Sequence, residues 1–215
     1  RGSDGTLLWK QATDYILPPS GWTPEFQPAI APNGRVYFAG AGGTIYWRDS
    51  IDSASGHTGQ IAFYGLSKYT ANKTSLNSRV FVDTPLTIDS KGNVFFGVQA
   101  TGTNALSLKG GIARIDANGN GTFVTATSAA ADSTVDKVQQ NSAPAISNDG
   151  KLVYVAMNHT NAEAIRTHSY LLALNPTTLA TVDKVELFNP ANSTSADLTD
   201  ISTASPTVGP DGDVY

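Results

Sequence analysis

The chain of 215 residues contains no cysteine, a single methionine and only three histidines. Without thiols it has no disulfide framework, no zinc–thiolate or iron–sulfur centre and no covalently attached c-type haem. Charged residues make up 15% of the chain, 14 basic against 18 acidic, for a net charge of −4. The basic residues are scattered singly, so the clustered positive face that nucleic acid or an anionic membrane surface demands is missing, and neither is expected as a partner. No apolar run approaches the eighteen or so residues of a spanning helix, and Arg1-Gly2-Ser3 does not open a signal peptide. No Gly-x-Ser-x-Gly elbow, no P-loop and no histidine beside an obvious nucleophile occurs, so nucleophilic hydrolysis has no motif to rest on.

What the chain does have is a phrase written four times. Pro28 to Tyr37, Pro85 to Phe95, Pro144 to Tyr154 and Pro206 to Tyr215 each run from proline through an isoleucine or valine to a glycine and on to an aromatic. Their glycines, Gly34, Gly92, Gly150 and Gly212, lie 58, 58 and 62 residues apart. Repetition at this period marks a stacked or circular array. Each copy reads as a hairpin, because Asn33-Gly34, Lys91-Gly92, Asp149-Gly150 and Asp211-Gly212 supply turn residues that tolerate positive φ.

Further apolar runs complete each repeat: Gln60 to Leu66 and Arg79 to Val82, Gly111 to Ile115 and Thr122 to Thr125, then Tyr170 to Leu174 and Ala180 to Leu187. Four antiparallel strands per repeat is the content of one β-propeller blade. The continuous runs Val36 to Ala39, Val94 to Val98 and Leu152 to Ala156 suit strands covered on both faces. The expected fold is therefore all-β, a propeller with blades of 58 to 62 residues, three complete and one partial at each end. Its expected segments are 1–25 (last strand of a preceding blade and linker), the blades 26–83, 84–142 and 143–203, and 204–215 as the start of another. The only helical candidate is Asn161 to His168.

The repeats resemble the quinoprotein-like (PQQ-like) β-propeller family, whose blades pair the proline-to-glycine hairpin with a later Ala-Leu-Asp…Thr-Gly…Leu-Trp segment. Asp4-Gly5-Thr6-Leu7-Leu8-Trp9 and Leu172-Ala173-Leu174-Asn175 match that second half, Ala113-Arg114-Ile115-Asp116 more loosely, while Val182 and Phe123 stand where the tryptophan would recur. The resemblance implies a propeller. In enzymes of that family it further implies a quinone stacked on tryptophan, with calcium held by carboxylates at the ring centre and often vicinal cysteines. Nothing in this chain matches that site residue by residue, so no PQQ is expected on it.

Loop lengths suggest where binding would occur, since long loops on a rigid scaffold commonly carry function. Naming the strands of a blade A to D outward, the A–B turns are tight. The B–C links are read as Ala41 to Gly59, Thr101 to Gly110 and Asn158 to Ser169, and the long D–A links as Gln11 to Phe26, Thr127 to Ser142 and Asn189 to Thr203. These place Trp22, Trp47, Arg48, Asp49, Asp52 and His57, with His159, Glu163, Arg166 and His168, on one elaborated face as the candidate partner-binding residues. Aromatic loop residues such as Trp22, Phe26, Tyr46 and Trp47 could stack on sugar rings.

Asp116-Ala-Asn118-Gly-Asn120-Gly121 fits the first half of a calcium loop, with oxygens at positions 1, 3 and 5. Thr127 stands at position 12, which excludes an EF-hand and leaves two alternatives: a shorter calcium loop at Asp116, Asn118 and Asn120, or an ordinary Asn-Gly hairpin turn. The three histidines lack metal-ligand spacing. Abundant serine, threonine and asparagine with few lysines point to an extracytoplasmic protein of the kind bacteria export. The expected function is non-enzymatic, a binding or scaffold propeller for a protein or polysaccharide partner, completed by further blades. The alternative is a quinoprotein-like dehydrogenase or a polysaccharide-acting propeller enzyme whose active site lies elsewhere.

Overall fold

The computed structural model describes residues 1–19, 23–159, 168–196, 198 and 204–215. The first sheet takes β1 (Ala29–Ile30), β2 (Val36–Ala39), β3 (Thr44–Arg48) and β4 (Thr58–Ala62) in that order, all antiparallel. Two short helices, α1 (Leu66–Ala71) and α2 (Lys73–Asn77), lead to the second sheet. There β5 (Val80–Val82) and β6 (Thr87–Ile88) both pair with β7 (Val94–Ala100), followed by β8 (Gly111–Ile115) and β9 (Gly121–Thr125). After α3 (Ala126–Ala130) the pattern recurs: β10 (Lys137–Val138) and β11 (Ala145–Ile146) pair with β12 (Val153–Asn158), then β13 (Tyr170–Leu174) and β14 (Thr181–Glu186). A bridge between Val208 and Val214 closes the fourth copy of the hairpin. The molecule is all-β, three antiparallel four-stranded blades and the start of another, a partial β-propeller.

The hairpins form for the reason the sequence suggests. Gly34, Gly92, Gly150 and Gly212 all take positive φ, 76°, 82°, 68° and 93°, a region open to glycine at no steric cost. The Asp89 carboxylate accepts from the Lys91 and Asn93 amides and from the Asn93 side chain, which locks the second of these turns.

The middle sheet feeds two cores by simple alternation. Val94, Phe96 and Val98, with Ala113 and Ile115, join Tyr37, Ile45 and Ala62 of the first sheet, and Tyr69 and Leu76 of the helices close that layer. Phe95 and Ile112 point the other way, toward Val153, Val155, Met157, Leu172 and Leu174, where Ala126, Ala129 and Ala130 of α3 complete the packing. Phe95 and Phe96, adjacent in sequence, are each fully buried, on opposite sides of one strand, each worth roughly 3 kcal/mol. The second sheet thus has no solvent face.

Four expectations need correction. Thr44–Arg48 is the third strand of the first blade, entered through a tight turn at Gly42 and Gly43, both at positive φ. The supposed B–C link 41–59 therefore does not exist as one loop. Gln60 to Ala62 then end the outer strand, and Arg79 to Val82 belongs to the second blade, since Val80–Val82 pair with Val98–Ala100. The link from Lys68 to Asn77 is α1 and α2, joining two blades rather than two strands of one. Residues 1–25 contain no strand among those described. Instead the segment runs past the end of β2 and the inner strand of the second sheet, with Thr13 donating to the Ala39 carbonyl at 2.5 Å, Asp14 accepting from the Ala41 amide at 3.0 Å and the Tyr15 hydroxyl donating to the Val82 carbonyl at 2.7 Å. The helical candidate Asn161 to His168 lies outside the described residues up to its last position, and His168 is not helical.

Candidate functional site

The missed strand redistributes the predicted residues between two faces. Trp47 and Arg48 end β3, and Asp49, Asp52 and His57 occupy the C–D link, on the face of the A–B turns. His159 and His168 lie on the opposite face, at the mouth of the β12–β13 hairpin. Trp22, Glu163 and Arg166 fall outside the described residues. The single elaborated face is therefore not what the chain builds.

On the first blade these side chains hold their own loop. Arg48 is buried and donates to the carbonyls of Gly56 at 3.1 Å, Ser53 at 3.0 Å and Ala54 at 3.3 Å, and its guanidinium lies over the Trp9 ring. Asp49 accepts from the His57 amide at 2.7 Å and faces its imidazole at 3.4 Å. The His57 amide bond lowers the pKa of Asp49. Trp47 leans over Gly59, its cross-strand partner, and the Arg35 guanidinium stacks on its ring at 4.0 Å.

The third blade gathers ionisable groups more densely. The register pairs Met157 with Tyr170, so Asn158 and Ser169, both fully buried, come next and the two histidines follow at the rim. His159 Nε2 faces Asp136 Oδ2 at 3.8 Å, and His168 Nδ1 contacts Glu186 Oε1 at 2.6 Å. The same Glu186 oxygen accepts from the Ser195 hydroxyl at 2.6 Å, which, with the nearby imidazole, outweighs desolvation and lowers the Glu186 pKa. Tyr170 stacks on His168, donates to Asp132 at 2.9 Å and lies beneath the Lys184 ammonium. Desolvation and the Asp132 charge push the Tyr170 phenol up to about 12. Desolvation opposes ionisation of Asp132, but bonds from Thr134 and Tyr170 win and lower its pKa. Three carboxylates, one lysine and two imidazoles thus share one rim. Ser195 donates to the carboxylate that also meets His168, so the acid stands between hydroxyl and imidazole.

A third polar group escaped sequence reasoning. The inner strand of the second blade breaks between β5 and β6, and that of the third between β10 and β11, and at the breaks buried polar residues meet: Asp83, Thr84, Gln99, Lys137, Gln140 and Asn141. Asn141, at φ +59°, ties the third blade to the second and to the segment leading into the first. Its amide donates to the Asp83 carbonyl at 2.9 Å, its side chain donates to the Thr23 carbonyl at 3.0 Å and accepts from the Glu25 amide at 3.0 Å. Gly97 makes room here: a Cβ on it would come within 2.4 Å of Asp83 Oδ1. The Asp83 carboxyl is fully buried and its oxygens accept no hydrogen bond among the described residues. Desolvation raises its pKa well above the ordinary value, against the pull of Lys137. Residues 136–142 had looked like a loop because a two-residue strand leaves no periodicity to detect.

Asp116 accepts from the Asn118 amide at 2.9 Å, the Asn120 amide at 2.8 Å and the Asn120 side chain at 3.1 Å. That is the bonding pattern of Asp89 and Asn93, and both turns read Asp-x-x-Gly-Asn. Among the described residues no three His, Asp or Glu side chains group closely enough to hold a metal ion, and no helix is long and apolar enough to cross a membrane.

No protein-family model matches the chain, and no curated protein does. The quinoprotein-like assignment accordingly has no support beyond the repeated motif. Among solved structures, the Dos1 propeller aligns over 86% of this chain and 39% of its own, at 11% identity and a TM-score of 0.46. A luciferin-regenerating enzyme aligns over 88% of this chain and 52% of its own, at 14% identity and a TM-score of 0.47. The chain spans about half or less of either neighbour, and at these values neither neighbour's role transfers to it.

Proposed function

We propose that this propeller is a binding and scaffold protein without catalytic chemistry of its own, exported from the cell, whose third-blade rim receives a protein or polysaccharide partner. The observation that carries this is the concentration of Asp132, Asp136, His159, His168, Lys184 and Glu186 where β12 and β13 end on one face. With three carboxylates and one ammonium beside the two imidazoles, the rim offers a mixed-charge surface to a complementary partner. Further blades of the same propeller are the proposed cover for the outer side of the third sheet, where Val185, 59% exposed, pairs with Leu171. Calcium is not needed for this role.

Photo-crosslinking amino acids at position 168 and, as a control, at position 52 test the proposal in extracts of the source cells. Crosslinks to one macromolecule at 168 that disappear in Asp136→Ala and Lys184→Ala support it. Crosslinks confined to position 52, or a quinone absorbance in the purified chain, would overturn it in favour of the opposite face or of the dehydrogenase alternative.

A further inference from the structure

We infer that the cleft between the first and second blades, on the face opposite the third-blade rim, is a subsite for a neutral sugar residue of a polysaccharide. The cleft has a volume of about 370 Å³ and is walled by Arg35, Tyr37, Trp47 and Ile61 of the first blade and by Asp116 and Asn118 of the second. Its width is set by glycine. A Cβ on Gly119 would touch Ile61 at 3.9 Å, and one on Gly121 would fall 1.8 Å from the Phe63 carbonyl oxygen, so the Asp116 turn approaches the first blade as closely as backbone allows.

The polar groups around this cleft have capacity to spare. Arg35 stacks on Trp47, yet among the described residues its guanidinium makes no hydrogen bond or ion pair, and its buried Nε has no partner. Stacking fixes the plane of the fork and leaves its donors directed by geometry rather than by a protein acceptor. Asn118 is exposed and its carboxamide is engaged with no described residue, while only its backbone amide meets Asp116. Asp116 Oδ1 is filled by two turn amides, but Oδ2 accepts only the Asn120 side chain and keeps a lone pair for a ligand donor.

Charge then selects the ligand class. Arg35 and Asp116 cancel, so an anion gains from one wall what it loses to the other, and a cation likewise. A neutral molecule that needs a donor fork, a carboxamide and a carboxylate acceptor beside an apolar floor of Tyr37 and Ile61 is a pyranose. Its vicinal hydroxyls match planar two-headed side chains, and its C–H face matches apolar surface. This site is independent of the third-blade rim, and either can fail without the other.

Affinity electrophoresis of the full chain through gels holding dextran, galactomannan, mixed-linkage β-glucan or, as an acidic control, alginate decides the matter. Retardation is expected in at least one neutral gel, with Arg35→Met and Asn118→Ala each weakening it about tenfold and Asp52→Ala leaving it unchanged. Asn118 is exposed, so its replacement keeps the test sound even where Arg35→Met perturbs folding. Retardation by alginate alone, none in any neutral gel, or retardation indifferent to Asn118→Ala would overturn the assignment.

Discussion

Asp83 enters the fold with a carboxyl group that burial strips of water, and the pH dependence of stability follows from that. Its folded pKa is raised, so the unfolded chain releases this proton first as pH increases. Stability is therefore lost between the ordinary carboxyl range near 4 and the raised value, and is flat below it. Asp83→Asn should raise the melting temperature at pH 7 and converge with the parent at pH 4; a lower melting temperature at pH 7 would show that Lys137 needs the charge. Arg48 is the reverse case, a buried cation whose two terminal nitrogens donate to three carbonyls. Arg48→Met should leave β3 in place but free residues 49–57 to proteolysis, detectable as a new early cleavage. Neither role was legible in the sequence. Arg48 looked like a loop residue because its strand had gone unrecognised, and Asp83 stood where one blade appeared to end.

At the level of strands and turns, the sequence spoke clearly wherever a glycine or a long apolar run fixed the geometry. All four hairpins and the sheet members β7, β8, β12 and β13 could be read directly. Thr44–Arg48 could not, because Gly40-Ala-Gly42-Gly43 has the look of an irregular bend while serving as the tightest B–C turn. The broken inner strands were invisible for a different reason: two or three residues of pairing give no pattern, and the polar segment between them resembles any linker. Close approach also separates glycines that look alike in sequence. Gly121→Ala should destabilise by about 3 kcal/mol in urea titration, since its methyl meets the Phe63 backbone. Gly34→Ala, at φ +76° with open space around it, should lose only about 1 to 2 kcal/mol. The turn at Asp116 carries a further expectation: millimolar calcium should not shift the melting temperature, because the carboxylate already serves amides of its own turn. A rise that a chelator reverses would restore the calcium loop.

For the whole molecule, the rim on the third blade, the cleft between the first two and the polar meeting point of the inner strands lie on three separate parts of one scaffold. Of these, the histidines of the rim were legible because long links drew attention to them, and the cleft was glimpsed only through Trp47 and Asp116 taken separately. Asn141→Ala should cost about 2 kcal/mol, measured by urea unfolding, because two partly buried bonds to residues 23 and 25 vanish together. In a linear stack each unit touches only its neighbours and may fray from one end. Here a single asparagine of the third blade holds both the second blade and the segment leading into the first, so the third blade cannot peel away without breaking that grip. Melting should consequently be all-or-none, a single calorimetric peak whose van't Hoff and calorimetric enthalpies agree, and Asn141→Ala should split that peak before it lowers it.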